Sequence, residues 1–253
     1  MMYASAAMTQ TGPIQGISSV IPCPGKSSPK LSFVMPTHNR LEWMPQALES
    51  LLDQTEKNIE VIVVNDNSTD GTREYLDGIT DPRVKVIHNE TNQGGGKSRN
   101  IGMAAASADI IGVTDDDDFY PEDRAEVTLR WFAEHPESEL VNFPYIRVGY
   151  FDEHLEQFYG GDFDHDLFKK DGTVTYYCNP SAAYRKNSAL EIGGYPSETK
   201  EMTDDVQFIT NWVKAGKRID FDNRAFACLH RVLPSSMMVK NRGWNPQWVG
   251  AKS

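Results

Sequence analysis

Four consecutive carboxylates, Asp115, Asp116, Asp117 and Asp118, follow the apolar run "DIIGV" at 109–113. Adjacent carboxylates at the end of a buried strand repel one another and cost stability unless a cation compensates them. Oxygen donors of this kind suit Mg2+ or Mn2+, above all where phosphate oxygens complete the octahedron. The plain alternative is a solvated acidic turn. A second acidic pair, Asp204 and Asp205, opens the helix-like run "DDVQFITNWVKAG". Upstream, "HNETNQGGGKSRNIG" at 88–102 carries the Gly-Lys-Ser ending of a P-loop. Counting back, Thr91 stands where that motif needs its first glycine, and the stretch follows the third strand rather than the first. A dinucleotide fingerprint fails as well, because the first strand runs into "PTHNR", which has no glycine.

The elements that must position these groups alternate regularly. Apolar runs at 31–35, 59–64, 83–88 and 109–113 read as strands, the first stopped by Pro36. Helical patterns lie between them at 40–54, 71–79 and 97–108, and another follows at 121–135 with Pro121 and acidic residues at its start. Continuously apolar strands separated by helices predict an α/β fold, a single mainly parallel sheet covered on both faces. Ligands of such sheets bind beyond the carboxyl ends of the strands, where "PTHNR", "NDNS" and "TDDDD" all fall. Beyond 139 the pattern loosens. "ELVNFPYIRVGYF" and "TVTYYC" read as strands, 204–216 as a helix, and "RIDFDNRAFACLH" as one or two more strands.

The chain has 253 residues and a formal charge of −11. An acidic surface argues against a nucleic-acid partner. Cys23, Cys178 and Cys228 form neither a disulfide framework nor a metal spacing, which predicts a reduced, cytoplasmic chain. No apolar run approaches the roughly 20 residues a membrane span needs, leaving only peripheral membrane association open. Residues 1–29 read as a flexible tail without the pattern of a signal peptide.

Taken in order, "SFVMPTHNRLEWMPQALESLLDQT", "IEVIVVNDNSTDGT", "NQGGGKSRNIGMAAASADIIGVTDDDD", "IGGYPSETKEMTDDVQFITNWVKAG" and "CLHRVLPSS" resemble the inverting family 2 glycosyltransferases of the GT-A fold. The chain departs from the family pattern at Asn65, where a first Asp is usual, and at Asp204, where Glu is usual. The resemblance covers about 31–236. It implies a GT-A domain over 30–236, with a nucleotide-sugar half at about 30–120 and an acceptor half at about 121–236. Residues 237–253 would be a tail or lid.

The resemblance also implies roles. The donor is a nucleotide-diphosphate sugar, by preference a UDP-sugar, and the acceptor is a hydroxyl of a glycan, a lipid-linked sugar or another molecule. Pro36, Thr37, Asn39 and Arg40 would line the nucleotide pocket. Asp66 would accept a hydrogen bond from a base N–H, or else form an Asx turn. Asp115 and Asp116 belong to the donor site, with Asp115 toward the ribose, and Asp117 would hold Mn2+ or Mg2+. His230 is either a packed core residue or a metal or diphosphate contact. Arg99 would serve the donor anion, or else a salt bridge to the acidic run. Asp205 is the general base, its plain alternative being helix capping. The segment 231–248 would close over the donor or stack a sugar on Trp244 or Trp248, its plain alternative being packing. A nucleotidyltransferase and a non-catalytic sugar-nucleotide-binding module are the competing classes. The first lacks its Gly-rich loop, and the second does not need Asp205.

Overall fold

A computed structural model describes residues 28–149, 154–158, 164–171, 177–197 and 203–233. Its main sheet begins with β1 (Leu31–Thr37), β2 (Ile59–Asn65), β3 (Val84–His88) and β4 (Ile110–Val113), all parallel. Helices α1 (Met44–Leu52), α2 (Thr72–Asp77) and α3 (Gly95–Ala105) connect them, and α4 (Arg124–Glu134) follows β4. Next come β5 (Leu140–Asn142), β6 (Tyr145–Val148), β7 (His154–Phe158) and α5 (His165–Asp171). A 3-10 turn (Asn179–Ser181) leads into β8 (Ala182–Arg185) and α6 (Lys186–Glu191). Helix α7 (Asp204–Lys214) and strands β9 (Asp220–Phe221) and β10 (Cys228–Arg231) complete the order. The seven-stranded sheet runs β3-β2-β1-β4-β8-β5-β9, with β8 antiparallel to both its neighbours.

Side-chain alternation explains why the central strands are apolar throughout. Leu31, Phe33 and Met35 join Val61 and Val63 beneath α1, while Val34, Ile62 and Val64 face α3 and α7. Burying each such side chain contributes roughly 1.5–3 kcal/mol. Gly102 lets α3 lie directly on the sheet, since a Cβ there would come within 2.5 Å of Val34 Cγ1. Helix α1 carries its proline in the first turn and buries Met44, Ala47, Leu48 and Leu51 on one face.

Four expectations change. Strand β1 does not stop at Pro36 but continues to Thr37. Val34 O accepts from Thr114 on the β4 side and Thr37 O from Asp66 on the β2 side. Alternation therefore turns the missing N–H of Pro36 toward β4, where the ladder has ended. The sheet is not single: β10, β6 and β7 form a second, three-stranded one. The run at 139–151 is two strands in two different sheets, parted at Phe143 and Pro144. Of "TVTYYC", 173–176 lie outside the described residues, and Tyr177 and Cys178 are not strand. Among the described residues no helix is long and apolar enough to cross a membrane. Cys178 and Cys228 are buried thiols without a disulfide, and Cys23 lies outside the described residues.

Candidate functional site

The polar ends of β1, β2 and β4 meet at one edge of the sheet, as the alternation predicts. At the end of β1, Thr37 is buried with its hydroxyl outside hydrogen-bonding geometry of any neighbour. Asn39 adopts a positive φ of 54°. Its backbone N–H donates to Ser68 Oγ and its Oδ1 accepts from Thr69 N, so it ties two strand-end loops together. Arg40 reaches back across the edge to Asp116 and Asp117, at 3.8 Å from each.

At the end of β2, Asp66 is 3% exposed. Its Oδ1 accepts from Asn89 Nδ2 and Gln93 N, and its Oδ2 from Gly94 N, each at 2.8 Å. The carboxylate thus pins the loop that enters α3. The Asx-type turn expected of Asp66 is made by Asn65, whose Oδ1 accepts from Ser68 N. Asp70 caps α2 through Thr72.

The run after β4 is split in function by its own geometry. Asp118 is fully buried and accepts from Arg231 N at 2.8 Å, from His230 Nδ1 at 3.2 Å and from Cys228 Sγ at 3.4 Å. It anchors β10, and Phe119 pairs with Leu229 beside it. The Arg231 guanidinium is held between the rings of Trp43 and Phe119, at 4.4 and 4.1 Å. Asp115, Asp116 and Asp117 are left at the mouth. Burial, then the charges of Asp118, Asp116 and Asp115, holds the Asp117 carboxyl well above the usual carboxylate range. Burial lifts Asp116 to about 6 against the nearby Thr37 hydroxyl and Arg40. Burial also raises Asp115, with Arg99 opposing.

This surplus of hard oxygen donors over positive charge fits a divalent cation. Among the described residues no group of three or more His, Cys, Asp or Glu side chains gathers to hold one unaided. A cation held there would have one or two carboxylates from the described residues, with ligand oxygens completing its shell. His230 bonds Asp118 through Nδ1, so Nε2 is its outward atom. Burial would depress its pKa, but Asp118, Asp117 and Asp115 together raise it to about 9. With that proton it is an imidazolium and a donor toward an anion; without it, the second ring nitrogen could ligate a metal.

Arg99 joins this edge to the C-terminal part of the chain. Its Nη2 donates to Asp115 Oδ1 at 2.6 Å and its Nη1 to Asp204 Oδ2 at 2.7 Å. Of the two readings open from sequence, the salt bridge is the one the geometry supports. Gly96 permits the close approach, since a Cβ there would meet Pro196 O at 2.6 Å and Asp204 Cβ at 3.0 Å. Next to Arg99, Asn100 clasps the Tyr195 backbone from both sides. Asp205 therefore stands in the first turn of α7, across Arg99 from the aspartate run. Its Oδ1 takes Thr203 Oγ1 and Val206 N. Both contacts are local to the first turn, where no side chain caps the helix, and Oδ2 is without a partner among the described residues.

Several residues of this edge carry no sequence signal. Asn179, Tyr177 and Tyr195 converge beside Arg99 from segments that read only as turn and strand. Arg124 is buried beneath β4, donating to Val113 O and stacking on Tyr120. A helix-face arginine gives no local hint of such burial. Trp244 and Trp248 lie outside the described residues.

With the geometry established, comparison with known proteins is informative. Residues 32–193, well over half of the chain, match the model of the family described as glycosyl transferase family 2. A relative, glycosyltransferase GlyG of Streptococcus pneumoniae serotype 4, is 29% identical over 205 residues, 79% of this chain and 64% of its own. The chain spans between 20% and 44% of the length of four other curated relatives, each called an uncharacterized glycosyltransferase. Among solved structures, residues 1–349 of TarS from S. aureus in complex with UDP-GlcNAc superpose with a TM-score of 0.67. Identity there is 22%, over 83% of this chain and 60% of that one. The mannosyltransferase PcManGT of Pyrobaculum calidifontis, in complex with GDP-Man and Mn2+, gives a TM-score of 0.60 at 19% identity. It is covered over 60% of its length, and this chain over 85%. At these identities the likeness establishes the GT-A fold.

Proposed function

The chain belongs to glycosyl transferase family 2, and we propose that it moves a single sugar from a nucleotide-diphosphate sugar to an acceptor hydroxyl with inversion at the anomeric carbon. One observation carries this reading: Arg99 fastens the aspartate run to the acidic start of α7 across 105 residues of sequence. A donor-binding edge and a candidate base thereby share one cleft. Residues 30–120 form the donor half and 121–236 the acceptor half.

In this proposal the nucleotide lies over Pro36, Thr37, Asn39 and Arg40, with Asp66 setting the loop beneath it. Asp115 and Asp116 face the ribose and diphosphate. Asp117 holds a divalent cation, Mn2+ or Mg2+, together with the diphosphate oxygens. When bound, that cation offsets the charge that develops on the leaving diphosphate. Asp205 Oδ2 accepts the acceptor's hydroxyl proton as that oxygen bonds to the anomeric carbon and the bond to phosphate breaks. The electron pair leaves with the diphosphate, which needs no proton. His230 would meet the departing diphosphate or the cation through its second ring nitrogen. UDP is the favoured nucleotide, since TarS is a structural neighbour in complex with UDP-GlcNAc. GDP is the arm to set against it.

The test is a melting experiment followed by a transfer assay. UDP and Mn2+ together should raise the melting temperature of the wild type, and Asp117→Asn should abolish that rise. Asp205→Asn should keep the rise and lose transfer. A rise that survives Asp117→Asn removes the metal assignment. Loss of donor binding in Asp205→Asn removes the base.

A further inference from the structure

The Asn179–Ser181 turn is fixed more firmly than a connection requires. Asn142 at the end of β5 grips it from below. Its Nδ2 donates to Cys178 O at 2.8 Å and Ser181 Oγ at 3.1 Å, and its Oδ1 accepts from Cys178 N at 3.2 Å. Above the turn, the hydroxyls of Tyr177 and Tyr195 both donate to Asn179 Oδ1, each at 3.0 Å. An amide can turn over when its two ends are equivalent to their surroundings. With both hydroxyls meeting the oxygen, the NH2 points away from them.

That NH2 has no acceptor among the described residues, although Asn179 is only 4% exposed. Among the described residues the fully buried unpaired polar atoms lie elsewhere, so this NH2 is open to solvent rather than sealed in the core. A donor held in place by a prepared frame and left unpaired is therefore suited to a ligand. Its position agrees. The pairing of β8 with β4 ends at Gly112 and Ala183, and the turn that precedes β8 packs against β4, whose end carries Asp115 and Asp116. Burial, and after it the Asp205 charge, raises the Tyr177 hydroxyl pKa, and Arg99 lies over the Tyr195 ring at 5.5 Å from its centroid. Asn179 thus stands between the aspartates and the candidate base, where a sugar joined to the diphosphate must lie. The nearby charges are mostly carboxylates, so a neutral N–H donor is the group suited to a sugar hydroxyl or acetamido oxygen there.

We propose that Asn179 is a substrate-contacting residue, its Nδ2 donating to an oxygen of the donor sugar and setting preference among sugars. This rests on the sugar-nucleotide reading above.

The test compares each nucleotide with its sugar conjugate, by calorimetry with Mn2+: UDP against UDP-glucose and UDP-GlcNAc, and GDP against GDP-mannose. Asn179→Asp is the informative variant. It keeps an oxygen for both tyrosine hydroxyls, so the turn should fold, but it replaces the N–H donor with an acceptor. For the nucleotide that binds, the affinity of the sugar-free form should stay within about twofold of wild type. The affinity gained from the sugar should fall roughly five- to tenfold, the worth of one hydrogen bond. The Tyr177→Phe/Tyr195→Phe pair should give a smaller loss in the same direction, because the amide can then turn. If the sugar's contribution is unchanged, or the bare nucleotide weakens equally, the inference is overturned while the sugar-nucleotide reading stands. If no nucleotide of the panel binds the wild type, both fall together.

Discussion

Two strand ends in the same sheet carry aspartates drawn back from solvent, Asp66 fully and Asp117 in part, and they have opposite fates. At the end of β2, Asp66 receives three hydrogen bonds from the loop that enters α3. At the end of β4, Asp117 has Arg40 at 3.8 Å and three like charges that, with burial, drive its pKa up. Both satisfy the rule that α/β ligands lie beyond the carboxyl ends of strands. Saturation separates them. A carboxylate whose lone pairs already meet backbone donors shapes the site, whereas one left with a charge deficit is available for chemistry.

The largest effect expected from this contrast is on Asp66. Asp66→Ala removes three hydrogen bonds at once, leaving Gln93 N unpaired while Asn89 Nδ2 and Gly94 N keep only their longer contacts to Ser98 Oγ and Asn92 Oδ1, and should cost roughly 2–3 kcal/mol in urea unfolding. A variant that stays fully stable but loses UDP would break the contrast and make Asp66 a base contact after all. Arg99→Lys comes next. A single ammonium cannot span Asp115 and Asp204 as the planar fork does, so transfer should fall by about tenfold to a hundredfold. Donor hydrolysis without acceptor should fall less, because the donor edge keeps its other contacts. Equal loss of both would show that Arg99 serves only the donor.

Asp117→Asn should act in the other direction on the protein alone. Removing one of the crowded charges should raise the melting temperature in EDTA by roughly 2–4 °C, about 1 kcal/mol. The smallest effect is on pH dependence. Asp116 has its folded pKa raised from 3.8 to about 6, so the fold prefers the proton. Stability in EDTA is then greatest below the unfolded value, declines as pH rises through about 6, and levels above it. The loss should be on the order of 1 kcal/mol, and Mn2+ with UDP should reverse it. A melting temperature that is flat between pH 4 and 7 would mean the carboxylates are compensated by the protein itself.

Much of this was legible along the chain. The periodicity of "LSFVM", "IEVIVV", "RVKVIH" and "DIIGV" implied the parallel sheet and which loops meet at its edge. Those patterns arise from side-chain alternation and burial, which are local. Pro36 misled because a proline's cost in a strand depends on which neighbour its missing N–H faces. The division within 115–118 was hidden too, since Asp118 is claimed by Arg231, His230 and Cys228 from more than a hundred residues away.

By itself, then, the sequence determined the layer order, the strand ends and the chemical types gathered there, together with the ordered motifs that resemble one family. Only the tertiary structure decided which of those groups are spent. Arg99 meets Asp115 and Asp204, Asp205 keeps one oxygen open among the described residues, and the Asn179 oxygen is claimed by two tyrosines. Hydrogen-bond saturation and electrostatic compensation depend on distances between remote segments, which no spacing along a chain encodes.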